Sequence, residues 1–417
     1  MRQLPSGTRL SPPWPIAAFN SLGPLLRSLG LFPKLDDPDA FKAVERDVGR
    51  KDGASPWVRT ARRVRLKSYE EDADLTLFGT LAVRSQVLQC FRHTLEFDRF
   101  IEERPQIEEE QITRPLFVMG WPRTGTTLTQ RLLSLHKDAR FTPVWEGYCP
   151  LPERRGRRLS EAARIKKSRR ALGLLKWVAP DLNIIHPMSF DDPDECYHLF
   201  RNYAAMPPGW DFAYLPGYWD WFAGQSAVPA YQMHKRQLQI LQWLNRGGHW
   251  VLKSPQHMAG LPALLEVYPD ARLVMTHRDP VECVASYCSL VAVAWGMTSD
   301  RFDKRKITDY VLSSAALAQK VSREALRRVP ADRVVHVDYE QITTAPVATI
   351  TGIYSKMGYQ RDPALPAKIE AWLAANPKGR HGRHTYSLAD FDLTERDVRE
   401  ALCDPEPAGN QRKAGCV

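Results

Sequence analysis

Four short apolar runs punctuate the chain after residue 113: PLFVMG (115–120), HWVLKS (249–254), ARLVMTHR (271–278) and DRVVHVDYE (332–340). Each is bounded by turn-forming or charged residues, the form of a strand buried on both faces. Leu128, Leu132, Leu133 and Leu135 follow the first run at helical spacing, and helix-like stretches at 258–268, 280–293 and 308–328 separate the others. This alternation predicts an α/β fold in which a parallel sheet is flanked by crossover helices. Ligands of such sheets bind at the carboxyl ends of the strands, so chemistry is expected there.

Ahead of the sheet, residues 1–113 read as a helical flank or lid. Leu77, Val83, Leu88, Phe91, Leu95 and Phe100 recur at steps that make one apolar helical face. Residues 114–395 form the expected core and 396–417 a tail. A long insertion, 147–248, interrupts the core after its first strand–helix unit. It carries a basic run, then an acidic FDDPDE, then the aromatic PPGWDFAYLPGYWDWF. That last stretch reads either as core or as the wall of an acceptor pocket, and its prolines and glycines favour a loop-rich wall.

The 417 residues, 43% hydrophobic and 25% charged, describe a globular protein with a sizeable core and no low-complexity tract. The early segment WPIAAFNSLGPLLRSLGLF is too interrupted by Pro, Gly and Arg to span a bilayer, and it lacks the pattern of a secretory signal. A cytoplasmic location is expected, with an amphipathic N-terminal piece that touches a membrane or a partner. Seven cysteines without a C-x-x-C pair argue for reduced thiols and against a zinc site. The net charge is +10, and residues 154–170 alone hold nine basic residues against one acid. That run is either a solvated helical face or a basic rim for an anionic ligand, including a peripheral membrane contact. No recognition motif accompanies it, which excludes nucleic acid from the expected partners.

The most specific stretch is GWPRTGTT (120–127). It follows a strand, opens a helix and fits the phosphate loop G-x-x-x-x-G, but Thr126 stands where a nucleotide triphosphatase has lysine. Gly120 and Gly125 allow a tight turn of inward N–H groups, the helix adds the positive end of its dipole, and Arg123, Thr126 and Thr127 add side-chain donors. Such a loop suits an oxyanion without Mg²⁺. Arg278, at the end of the third run, and Ser286, eight residues on, make a second clamp suited to one phosphate.

With its P-R-T-G-T-T loop and R-x7-S pair, the chain resembles the sulfotransferase superfamily, over roughly residues 75–395. The resemblance is nearest to the bacterial carbohydrate- and lipid-type enzymes related to tyrosylprotein sulfotransferases. PVWEGYCPLP, WVLKSPQH, VDYEQITTAP and RHTYSLADFDL look like further landmarks of that group. It implies 3′-phosphoadenosine 5′-phosphosulfate as donor and no metal. The 5′-phosphosulfate would rest on Pro122, Arg123, Thr124, Gly125, Thr126 and Thr127, the 3′-phosphate on Arg278 and Ser286, and the adenine against Tyr339. The glycine-rich third donor contact of cytosolic sulfotransferases is replaced here by Arg380, Arg383 and His384 in GRHGRHTY.

Sulfuryl transfer then requires cations on the leaving phosphate, for which Arg123 and Lys253 are the candidates, and a base for the attacking hydroxyl. Glu146, His257 and His186 are the candidate bases, in that order, and the working base should be partly buried with its pKa brought toward the operating pH. The expected acceptor is a hydroxyl of a lipid, a carbohydrate or a small molecule. Two other readings stay open: a kinase-like phosphotransferase, and a nucleotide-binding protein without catalysis.

Overall fold

The computed structural model describes residues 3–10, 12–154, 157–203, 207, 211–377 and 385–403. Its centre is a five-stranded, all-parallel sheet: β1 (Leu116–Met119), β2 (Ala139–Arg140), β3 (His249–Lys253), β4 (Arg272–His277) and β5 (Val334–Asp338), in the order β2-β3-β1-β4-β5. The four apolar runs are its four long strands. The two-residue edge strand β2 was not legible, being too short to carry a pattern.

Alternation along β1 explains why the run is continuously apolar. Phe117 and Met119 enter one hydrophobic cluster and Leu116 and Val118 the other, and all four are fully buried. The first face is covered by helices Val228–Leu244, Leu261–Val267, Pro280–Gly296 and Lys304–Leu326. The second is covered by Thr126–Leu133, Pro346–Lys356 and Leu365–Ala375. In-register pairing of Val118 with both Lys253 and Val274 brings the ends of β1, β3 and β4 to one edge.

The N-terminal region is helical as read, with Leu77–Glu102 as its longest helix. Leu4, Leu10, Ile16, Phe97 and Phe100 join the cluster on the first sheet face, so this flank shares the core of the sheet. The aromatic stretch of the insertion departs from the expected wall. Pro216 opens a short helix, Pro216–Ala223, and Tyr218 and Phe222 pack with Leu66 and Tyr69 of helix Pro56–Glu71. Proline at the first helical position starts a helix, which is why counting it as a breaker misled. Trp210 lies outside the described residues.

The expected tail includes a helix, Glu395–Leu402, with Val398 and Leu402 buried in the main cluster. Cys90, Cys149, Cys196, Cys283 and Cys288 are free and buried, as reduced thiols. Among the described residues no helix is long and apolar enough to cross a membrane.

Candidate functional site

The loop between β1 and helix Thr126–Leu133 is held open by its own short-range bonds. The Thr124 hydroxyl donates to the Trp121 carbonyl at 2.7 Å and lies 2.7 Å from the Thr276 hydroxyl of β4, and its N–H also returns to Trp121. Thr124 therefore frames the loop and ties it to the neighbouring strand, a role different from the anion contact expected of it. Gly125 sits at φ 93° with Tyr339 so close that an added Cβ would lie 2.9 Å from its ring. The helix that follows has no side-chain N-cap bond and no acid in its first turn, leaving its positive end open toward the loop.

Arg123 is the most informative residue of the site. Its backbone is in the left-handed region at φ 78°, which is costly for any residue but glycine. Its Nε donates to the Ser286 hydroxyl at 3.0 Å and one terminal nitrogen to the Ile185 carbonyl at 3.0 Å. Among the described residues no carboxylate lies within ion-pair distance of it. Burial, and then the charge of Arg278, hold its pKa below the usual arginine range.

The two clamps read separately from the sequence are thus one constellation. Arg278 donates to the Arg123 carbonyl at 3.2 Å, stacks its guanidinium over the Tyr339 ring at 4.3 Å from the centroid, and pairs with Glu282 on its outer side. Ser286 is buried in helix Pro280–Gly296, which Asp279 caps and Pro280 opens. Pro122 lies in the loop itself. Arg380, Arg383 and His384 lie outside the described residues.

Lys253, at the end of β3, reaches the loop from the other side. Its ammonium lies 3.4 Å from the Thr127 hydroxyl and 2.5 Å from a Glu195 carboxylate oxygen, with both side chains buried. The sequence reading passed over Glu195. The available signal was position: it is the last acid of FDDPDE and is followed by the buried CYHLF, so the acid next to the apolar turn is drawn inward. The following residue fixes the arrangement, because the Cys196 N–H donates to the Lys253 carbonyl at 2.8 Å.

The three candidate bases occupy different surroundings. Glu146, in the short helix Val144–Tyr148, is buried and bonded to Arg140 at 2.7 Å. Burial raises its pKa against the opposing pull of Arg140, the direction a base needs. His186 is held by burial, and then by Lys253 and Arg123, at a pKa of about 3. It is therefore neutral near the loop but weakly basic. His257 does not face the cleft: it is fully buried among Phe117, Phe200 and His234, with Nδ1 2.9 Å from the Tyr231 hydroxyl. The 3-10 turn after Lys253 rotates it into the core.

His257, His234 and Cys196 are the group of potential metal ligands found among the described residues, with ligating atoms within 4.8 Å of one another. They lie in the aromatic core beneath the sheet edge and contribute no side chain to the loop.

The buried histidines set a pH dependence. Burial pushes His186 and His234 down to about 3 and His249 to about 4. The unfolded chain binds protons near pH 6.5 that the folded chain refuses. Stability is therefore fully present above about 6.5 and is lost as pH falls toward 4, with a limiting slope of about 1.4 kcal/mol per pH unit for each such group. Urea midpoints at pH 7, 6 and 5 should fall in that order, and His234→Gln should flatten the trend.

Comparison with known proteins bears on this arrangement directly. The sequence profile described as the Sulfotransferase family matches residues 115–363, which include the loop, Lys253, Arg278, Ser286 and Tyr339. The chain belongs to the sulfotransferase family. Two curated sulfotransferases, named omega-hydroxy-beta-dihydromenaquinone-9 sulfotransferase Stf3, from Mycobacterium bovis and Mycobacterium tuberculosis, are each 24% identical over 266 residues. The match takes in 58% of this chain and 62% of theirs, so the chain spans less than two thirds of these relatives. The crystal structure of sulfotransferase STF1 from Mycobacterium tuberculosis superposes with a TM-score of 0.74 at 26% identity, covering 87% of this chain and 97% of that one. Sulfotransferase STF9 from Mycobacterium avium gives 0.73 at 23% identity over 87% and 94%, a likeness of fold. The sulfotransferase sheet and its flanking helices are thus shared well beyond the matched segment.

Proposed function

We propose that this sulfotransferase-family chain transfers a sulfuryl group from 3′-phosphoadenosine 5′-phosphosulfate to a hydroxyl of a lipid, carbohydrate or small-molecule acceptor. The observation that carries the reading is Arg123: a strained, partly buried guanidinium with no carboxylate partner among the described residues, set between an open helix N-terminus and a second arginine. A cation so placed is stabilised by an anionic ligand. Ser286 and Arg278 beside it supply contacts for a second phosphate, and Thr126 in place of lysine disfavours a triphosphate. The loop N–H groups, Arg123, Thr127 and Lys253 would stabilise charge on the departing phosphate, and Tyr339 would wall the nucleotide. Glu146, buried and bonded to Arg140, stays the first candidate base; Glu195 would orient Lys253. The relatives are named for action on a hydroxylated menaquinone derivative, which favours a lipid among the acceptors. The transfer so arranged requires no metal, and we propose that it takes place in the cytoplasm.

Calorimetry with adenosine 3′,5′-bisphosphate, set against ATP with Mg²⁺, tests the donor class. Tight binding of the bisphosphate and none of ATP is expected; preference for ATP would favour the phosphotransferase reading. Arg278→Ala should weaken the bisphosphate by roughly tenfold to a hundredfold, the worth of one charge-assisted contact, and leave the melting temperature within a few degrees. Glu146→Gln should lower transfer from labelled donor by about 10²-fold or more at unchanged bisphosphate affinity. Full activity in that variant would return the base role to His186.

A further inference from the structure

Exposed large apolar side chains are concentrated in two places. Trp14, Leu25, Leu29 and Leu31 are each more than half exposed, within the first short helices and the turn after them. Leu174 and Trp177, at the end of helix Glu161–Val178, are the second group, and Ile184 follows on helix Pro180–Ile185. One bond links the two regions: the Arg9 N–H, ahead of the first group, donates to Asp181 at 2.6 Å, between Trp177 and Ile184.

The second group continues a charged stripe. Lys166, Arg170, Leu174 and Trp177 follow one another at i, i+4, i+8 and i+11, one face of the helix, cationic for two turns and apolar for the next two. Lys166 and Arg170 are exposed and make no ion pair with any described residue. Basic side chains beside tryptophan and leucine, on a helix too charged to insert across a bilayer, suit contact with an interface. Polyvalent cation without nearby acid selects an anionic surface, each Lys or Arg near it contributing on the order of 1 kcal/mol.

We propose that this face docks the protein on the surface of an anionic lipid bilayer, with Trp14, Leu25, Leu29, Leu174 and Trp177 in the headgroup region and Lys166 and Arg170 on lipid phosphates. The surface adjoins the site through a short path. Helix Pro180–Ile185 follows Trp177 after two residues, its last carbonyl accepts from Arg123, and Arg131 of the loop helix holds the Pro187 carbonyl beyond it. A hydroxylated lipid leaving the bilayer along this helix would meet the loop end of the sheet. That use of the surface rests on the sulfuryl-transfer reading; the docking itself does not.

Flotation of the full-length chain with phosphatidylcholine vesicles, and with vesicles containing phosphatidylglycerol, tests the proposal. The chain should float with the anionic vesicles, release as salt is raised, and stay behind with phosphatidylcholine alone. Leu174→Ser with Trp177→Ser should reduce partitioning by about tenfold or more, as should Lys166→Glu with Arg170→Glu, while bisphosphate affinity in the same preparations stays unchanged. Absence of flotation at low salt would overturn the docking whatever the calorimetry shows. So would a dimer in light scattering that both double variants dissociate and that binds no vesicles, since a second copy would then be the occupant. Vesicle binding without bisphosphate binding would uphold the surface and reject the donor reading.

Discussion

Lys253→Met is expected to destabilise the fold by about 3–5 kcal/mol, because it leaves the Glu195 carboxylate buried without its cation. The same variant should lose about 10²–10³-fold in sulfuryl transfer if the ammonium stabilises charge on the departing phosphate. These losses have different origins, and a second substitution separates them. In Lys253→Met with Glu195→Gln no uncompensated charge remains, so most of the stability should return in a urea titration. Transfer from labelled donor should not return with it. A double variant that recovered both would make Lys253 a structural half of an ion pair and nothing more.

Gly120→Ala should be strongly damaging for the addition of a single methyl group. A Cβ there would stand 2.2 Å from the Thr276 hydroxyl and 2.6 Å from the Thr276 carbonyl. The hydroxyl can turn aside, but the carbonyl belongs to β4 and is fixed by the sheet. Relief requires β1 and β4 to separate at the edge where the loop begins, so a cost of about 3 kcal/mol is expected, at the upper end for overpacking, together with loss of bisphosphate binding. Gly173→Ala is the control. Nothing lies within 4 Å of its added Cβ, and it sits inside helix Glu161–Val178, where alanine is favoured over glycine by about 0.5–1 kcal/mol. Equal effects at the two positions would show that the closeness of loop and strand does not govern the outcome at Gly120.

The sheet was legible because β1, β3 and β4 are buried on both faces and so are written as near-continuous apolar runs, while the edge strand β5 kept enough of the pattern in Val334, Val335 and Val337 although His336 and Asp338 are exposed. The loop was legible because its chemistry is local: Gly120, Arg123, Gly125, Thr126 and Thr127 stand within eight residues. Arg278 and Ser286 could be paired because one helix sets their spacing. What could not be read was contact between distant segments. Glu195 gives no local sign that it meets Lys253, and Arg123 gives none that it spans both clamps. His257 shows the converse error: four residues from Lys253 in sequence, it is turned by a 3-10 step into the aromatic core. Nearness in sequence specifies a common face only while one regular element continues.

The bond from the Cys196 N–H to the Lys253 carbonyl makes the insertion and the central sheet a single cooperative piece at the point of chemistry. An exchange of residues 147–248 between relatives, made to transplant acceptor preference, would carry away one half of the Lys253–Glu195 pair and leave the other. If the insertion sets acceptor preference and Lys253 serves the donor, as proposed, the two are inherited together, and a functional chimera must match them at residue 195.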